Sequence, residues 1–365
     1  MTDKLVAIAN TFTPDKNVTR VRPLGNGNIN DTFLATTASQ PETSFILQRI
    51  NTQVFRQPQW VMQNIRICTE HMRSRCQSTS SDRRWDVPVV FLTEKGQDHH
   101  IDADGSFWRA MSAIKNAESF DTIDDAERAA EVGYALGTFH RLTIDLPPEK
   151  LADTLEGFHI TPRYLQQYEI VREKTTHPET PDTQYCEKFI GDRALLAPVL
   201  EAAKQRGKLP LRLMHGDPKI NNVLFDRQTK KAVSLIDLDT VKPGLIHYDI
   251  GDCLRSACNP AGEETQNWDE VYFDTDLCRA ILHSYLAVTH TFLTENDLAY
   301  FYDSIRLITF ELGLRFFTDY LAGNIYFKVR YPEHNLARAI VQFKLVESIE
   351  SRERSIALIF KQFQS

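Results

Sequence analysis

The stretch HGDPKINNVLFDRQTKKAVSLIDLD, residues 215–239, decides how the chain is read. Within it VLFD and AVSLID are short apolar runs on either side of the polar turn DRQTKK, which predicts a β-hairpin. Asp217 precedes Asn222 by five positions and Asp237 by twenty. A hairpin returning over that distance brings Asp237 beside Asn222. One carboxylate and one amide oxygen then share a point, while a separate carboxylate, Asp217, faces outward. Magnesium accepts such a pair when it keeps several waters and takes its other oxygens from phosphates. Asp217 is placed to hold an acceptor hydroxyl and take its proton, and Lys219 sets a positive charge near a transferring phosphoryl group.

Upstream of this hairpin the chain reads as strands over residues 18–24, 31–37 and 44–50, with GNGNIN (25–30) between the first two. Val61, Ile65, Cys68 and Met72 recur at spacings of 4, 3 and 4, one face of a helix. VPVVFLT (87–93) and FWRAMSAI (107–114) are further strand candidates. The expected architecture is α+β in two lobes: an antiparallel sheet with one helix over residues 1–113, and a mainly helical lobe over 114–365. In the helical part, Thr161-Pro162 resembles an N-cap followed by proline at the first helical position. Thr294 and Asp297 resemble a capping box opening a long helix through Leu298, Phe301, Ile305, Ile308 and Leu312, with Gly323 as its stop. A last helix carries Leu336, Ile340, Phe343, Val346 and Ile349.

Composition narrows the function classes. Apolar residues at 42% and charged residues at 25% exclude a disordered or collagen-like chain. A net charge of −7 offers no general basic field to nucleic acid or anionic lipid. The longest apolar run, VPVVFL from Val87, is too short to span a membrane. The opening MTDKLVAIANTFTPDKN lacks an apolar core for export, and the six cysteines form no CxxC pair. A cytoplasmic protein with reduced thiols is expected.

H-x-D-x-K-x-x-N followed by I-D resembles the catalytic loop and metal aspartate of kinase-fold phosphotransferases. The H-G-D form, with Gly216 where protein kinases carry Arg, is that of the aminoglycoside and choline phosphotransferase superfamily. The resemblance implies ATP and Mg2+ between two lobes, with Asn222 and Asp237 on the metal. It implies Lys219 on the γ-phosphate, and Gly25, Gly27 and Asn30 in a phosphate-covering loop. Asn30 stands where the protein-kinase loop has its third glycine. Gln48 stands where kinases keep a phosphate-pairing Lys; it offers a hydrogen bond without charge, and Arg49 alternates to the other face. Adenine is expected against the backbone around Met111 to Ile114.

The stretches ILQRIN, LRLMHGDPKINNVLFD, SLIDLDTVKPG, DIGDCLRS and GLRFFTDYLAGNIYFKVRYPEHNLAR are similar to the bacterial N-acetylhexosamine 1-kinases, including the Gln in place of Lys. That similarity implies transfer to the anomeric hydroxyl of N-acetylglucosamine or N-acetylgalactosamine. It places Asp217, Asn28, Arg315 and Tyr326 around the sugar, Asn28 standing where a His is expected. From spacing alone Arg315 equally suits an ion pair with Glu311 or Asp319, one turn away on either side. Asp239 and Asp249 read as carboxylates that anchor loops rather than hold metal, and His140 and His247 as structural. Kinases of other small alcohols or amines, and a nucleotide-binding regulator without turnover, are the alternatives.

Overall fold

The protein is described from a computed structural model covering residues 2–13, 17–25, 29–38, 43–78, 83–176 and 179–362. It has two lobes. The first opens with α1 (Thr2–Asn10), β1 (Val18–Pro23), β2 (Asp31–Thr37), β3 (Ser44–Ile50), α2 (Pro58–Ser78), β4 (His100–Ile101) and β5 (Phe107–Ser112). The strands form one antiparallel sheet in the order β1-β2-β3-β5-β4. Alternation assigns its two faces. Val21, Ala35, Leu47, Trp108 and Ala110 pack against Ile8 and Phe12 at and beyond α1. Ile50, Phe107 and Met111 face Val61, Met62 and Ile65 of α2 and the core of the second lobe. Thr32, Gln48 and Arg109 are register partners across β2, β3 and β5. The ladder therefore sets three polar side chains in a row on the face turned toward the other lobe.

The second lobe follows with β6 (Ala117–Glu118), α3 (Ala126–Thr143), α4 (Thr161–Lys174), α5 (Pro181–Arg193), α6 (Val199–Gln205), β7 (Arg212–Met214), β8 (Val223–Asp226), β9 (Ala232–Leu235) and β10 (Lys242–Gly244). It ends with α7 (Ile246–Ala257), α8 (Thr275–Thr289), α9 (Glu295–Ala299), α10 (Phe301–Leu321), α11 (His334–Ser351) and α12 (Glu353–Lys361). The expected hairpin is β8–β9, extended by β6, while β7 pairs with β10. These two small ladders matter most for the site. β7 leads into the loop 215–222 and β10 leads out of the loop 236–241, so both loops are clamped at each end. Among the described residues no helix is long and apolar enough to cross a membrane.

Several expectations are corrected. Residues 87–93 run beside β5, yet only Val90 forms a bridge, to Met111; Pro88 has no N–H to extend a ladder. Thr161 is not an N-cap: it is the first residue of α4, Ile160 occupies the cap, and the Thr161 hydroxyl donates to Glu311. The capping box of Thr294 and Asp297 is present, but the helix it opens ends at Ala299, and Tyr300 separates it from α10. Asp297 is also the buried partner of Arg212. The helices α1 and α12 had no reading in the sequence; both bury single faces whose apolar residues are few.

Close helix pairs carry the core of this lobe. At the α3–α8 crossing, a Cβ on Gly133 would sit 2.0 Å from the Ile281 carbonyl oxygen, so the backbones touch only because that side chain is a hydrogen. Gly133→Ala must push α8 away. A loss of about 1–3 kcal/mol or more in stability is expected, read as a lower urea midpoint, with the local chemistry otherwise unchanged.

Candidate active site

Asp249, in the first turn of α7, fixes the loop that carries Asp217. Its Oδ2 accepts the amide of His215 at 2.7 Å and its Oδ1 that of Gly216 at 2.8 Å. His140, itself 2.9 Å from the Tyr285 hydroxyl, meets Oδ2 at 2.9 Å. Charge-assisted hydrogen bonds of this kind contribute about 1.5–3 kcal/mol each. Gly216 has φ +87°, and an added Cβ would lie 2.8 Å from Thr240 Cβ, so the tight passage excludes any side chain. Beside it, the His215 ring donates Nε2–H to the Ile236 carbonyl at 3.0 Å and accepts the Asp217 amide at Nδ1, 3.3 Å away. That arrangement requires the neutral ring, and burial pushes its pKa down.

From the other side His159 holds the Gly216 carbonyl, at 2.8 Å from Nε2, while its Nδ1 is 2.9 Å from Glu311. Glu311 also accepts from Thr161 at 2.6 Å. Both partners of His159 are acceptors, so both ring nitrogens donate and the ring is an imidazolium. Burial works against that charge, but Glu311 outweighs it and the pKa is raised. His159 went unread in the sequence, and Glu311 was read only as a possible partner of Arg315, since a His and a Glu 152 positions apart have no spacing to join them.

The loop 215–222 carries Asp217, Lys219 and Asn222, and the loop 236–241 brings Asp237 close enough for its charge to act on Lys219. Lys219 Nζ is 2.8 Å from Asp217 Oδ2. Asn222 Nδ2 donates to the Asp217 carbonyl at 2.8 Å and its carboxylate at 3.3 Å. Among the described residues nothing donates to Asn222 Oδ1, so this oxygen could accept a cation. The amide of Ile236 donates to the Asn222 carbonyl at 2.9 Å, so Asn222 and Asp237 lie on adjacent strand ends. Asp237 has φ +66°, a left-handed backbone that costs a non-glycine residue energy. Its carboxyl is raised above the usual range by the surrounding chain and the like charges of Asp239 and Asp217, with Lys219 and Arg109 pulling the other way. For Lys219 burial lowers the pKa but Asp217 and Asp237 raise it further, so its ammonium is retained. Among the described residues no three carboxylate, histidine or cysteine groups enclose a cation unaided. One carboxylate, one amide oxygen and crowded negative charge suit Mg2+ that takes its remaining oxygens from phosphates and water.

The first lobe reaches these loops through Asp239. Asn30 Nδ2 donates to its Oδ2 at 2.5 Å, and Asn30 Oδ1 accepts the Asn51 amide at 2.9 Å. Gln48 donates to Thr32 at 3.0 Å and accepts from Arg109. Arg109 in turn pairs with Asp239. Arg109 was missed in the sequence; its signal is an arginine inside the apolar run FWRAMS, which is buried on both faces. Arg49 points away and pairs with Asp31, as alternation requires. Gly25 has φ +68°. Gly27 and Asn28 lie outside the described residues.

A cavity of about 340 Å³ is lined by Tyr164, Arg315, Tyr326 and Phe327, with the acids Glu156 and Asp319 also at its wall. The Arg315 guanidinium lies 4.9 Å from the Tyr164 ring centre, 5.3 Å from Phe158, 5.5 Å from Phe327 and 5.8 Å from Tyr326. Neither neighbouring acid pairs with it. Glu311 is engaged by His159, and Asp319 accepts the amides of Ile325, Tyr326 and Phe327 and the side chain of Asn335. The helical ion pair that spacing allowed is therefore absent. Burial works against the Arg315 charge, while Tyr164, Tyr326, Glu311 and Asp217 favour it on balance.

Residues 20–281 match the family model described as the phosphotransferase enzyme family, APH, and the chain belongs to that family. By family it is a phosphotransferase. Its fold is shared with a microcompartment-associated aminopropanol kinase, at a TM-score of 0.61 and 18% identity over 97% of this chain and 99% of that one. An aminoglycoside phosphotransferase from Alicyclobacillus acidocaldarius gives 0.60 and 16% over 98% and 96%. An amicoumacin kinase solved with AMP-PNP and Ca2+ gives 0.59 and 14% over 96% and 93%.

The raised Asp237 pKa has a consequence for stability. The folded chain favours the protonated acid, so the contribution present in acid is lost as pH climbs from about 4 toward neutrality. Asp237→Asn removes that loss. In metal-free buffer the variant should gain stability over the unsubstituted protein, by more at about pH 8 than at about pH 5, measured by urea unfolding at both pH values.

Proposed function

We propose that the protein transfers the γ-phosphoryl group of ATP, with Mg2+, to the anomeric hydroxyl of an N-acetylhexosamine. The observation that carries the acceptor class is Arg315. Among the described residues this guanidinium has no carboxylate partner, and the two acids at the same cavity are engaged elsewhere, Glu156 with Arg163 and Asp319 with backbone amides; set among aromatic rings, it repels a cationic amino alcohol or aminoglycoside and favours a neutral ligand rich in hydrogen-bond acceptors. Sugar rings stack on aromatic faces through their apolar side, and an acetamido carbonyl accepts from Arg315. The similarity of the stretches around Asp217, Arg315 and Tyr326 to the N-acetylhexosamine 1-kinases supports the same reading.

In this reading Asn222 and Asp237 hold the metal, which when bound neutralises charge on the phosphate oxygens. Lys219 meets the γ-phosphate, leaving its place on Asp217. Asp217 orients the sugar O1 and takes its proton as the new O–P bond forms and the bond to ADP breaks. A hemiacetal hydroxyl is more acidic than an ordinary alcohol, so a carboxylate of modest basicity is sufficient. Gly25, Gly27 and Asn30 cover the phosphates, with Gln48 on β3 behind them. Asn28, Arg315 and Tyr326 contact the sugar. The lobes divide between residues 113 and 114, since β5 ends at Ser112 in one sheet and β6 pairs with β8 in the other lobe. A cytoplasmic location suits six unbridged cysteines and an ATP-dependent reaction.

Three measurements test this. ATP consumption should be driven by N-acetylglucosamine or N-acetylgalactosamine, not by their methyl glycosides, which lack the anomeric hydroxyl, nor by choline or aminopropanol; turnover of the amines alone overturns the acceptor class. Asp217→Asn should lower kcat by about 10²–10⁴-fold while ADP still binds; undiminished turnover removes Asp217 from its role. Arg315→Met should raise the sugar KM about tenfold or more with the ATP KM unchanged, as expected for loss of a charge-assisted hydrogen bond to the acceptor.

A further inference from the structure

Gln48 stands on β3 where the family resemblance places a phosphate-pairing lysine, and an amide carries no charge. Across the ladder, β5 presents Arg109 as the register partner of Gln48, on the same face. The side chain of Arg109 is 2% exposed, unusual for an arginine unless it is paired. Its Nε and Nη2 donate to the single oxygen of Gln48 at 2.9 and 2.7 Å, and Nη2 lies 2.5 Å from Asp239 Oδ1. Among the described residues Nη1 has no hydrogen-bond partner, although it is shut off from solvent. The charge is felt at Asp237, which it pulls toward the ionised form. Through Asp239, two residues from Asp237, the guanidinium reaches the loop that carries one of the residues proposed to hold the metal.

This arrangement is costly if it only packs. A buried charge with an unused donor is less stable than an apolar side chain of the same size. It is well suited to an anion. Two of the three nitrogens are committed to Gln48 and Asp239, which fixes the plane, and both hydrogens of Nη1 remain for planar recognition of phosphate oxygens. Gln48 is then explained as well: its oxygen orients the arginine, and a lysine at that position would repel it. We infer that Arg109 supplies, from β5, the positive charge that meets the nucleotide's phosphate chain, with Gln48 and Asp239 positioning its guanidinium. The inference rests on the nucleotide reading above and adds the residue that contacts the phosphates.

The test compares ADP with adenosine by calorimetry on the full chain, in EDTA so that the metal site takes no part. The two ligands share base and ribose and differ by the diphosphate. The unsubstituted protein should prefer ADP. Arg109→Gln should weaken ADP by roughly 10- to 100-fold and leave adenosine unchanged. Adding Gln48→Lys to Arg109→Gln, which returns a cation to β3, should restore ADP affinity. Equal losses for both ligands, or an unchanged preference for ADP, overturn the role of Arg109. Binding of neither ligand to the unsubstituted protein overturns the nucleotide reading itself. If Arg109→Gln does not fold, the guanidinium nitrogen resonances of the unsubstituted protein decide the matter: ADP should shift those of Arg109 and adenosine should not, and the lack of an ADP-specific shift overturns the inference.

Discussion

Three carboxylates, Asp217, Asp237 and Asp239, whose charges meet at Asp237, are the constraint around which the rest of the molecule is arranged. Burial and their mutual repulsion together raise the pKa of Asp237. It is tolerated because cations approach from two directions: Lys219 on the loop of Asp217, and Arg109 from the sheet of the other lobe. Such a cluster is poorly suited to stability and well suited to a polyanion that arrives with its own metal. The same charges therefore hold the lobes together and mark where the chemistry is proposed to occur.

The backbone bearing these groups is held with unusual redundancy. Asp249 grips two consecutive amides, those of His215 and Gly216, His159 grips the Gly216 carbonyl that follows them, and Thr240 donates to the carbonyl of His215 between them. Gly216 is the one residue in the loop that allows the chain to pass Thr240. Glu311 stabilises the charge of His159 and lies one turn from Arg315 on α10. A single helix thus orients both the loop of Asp217 and the lining of the neighbouring cavity. Rigid support of this sort is what positioning-dominated phosphoryl transfer requires.

The sequence was most legible where several chemically demanding residues occur in order at close spacing. HGDPKINN and IDLD could be placed on a hairpin because the apolar runs between them are short and the turn is polar. The alternation in SFILQRI correctly separated Gln48 from Arg49. It failed where an interaction joins residues far apart. Arg109 lies 61 positions from Gln48 and pairs with Asp239 across the lobes. His159 reaches Glu311 over 152 positions. Neither pair has a local spacing to reveal it. Thr161 was misread for a related reason: next to proline it looks like a cap, but a buried carboxylate competes for its hydroxyl and wins.

By itself, then, the order of residues determined the lobes, the hairpin and the family-defining run of Asp, Lys, Asn and Asp, because these depend on periodicity and on groups that few other roles would require together. The tertiary structure decided which charges are spent and which remain. Along α10, Arg315 has an acid one turn away on each side, and only the packed molecule shows both acids drawn to other partners. Local spacing says which groups are able to meet; burial and long-range hydrogen bonds choose among them.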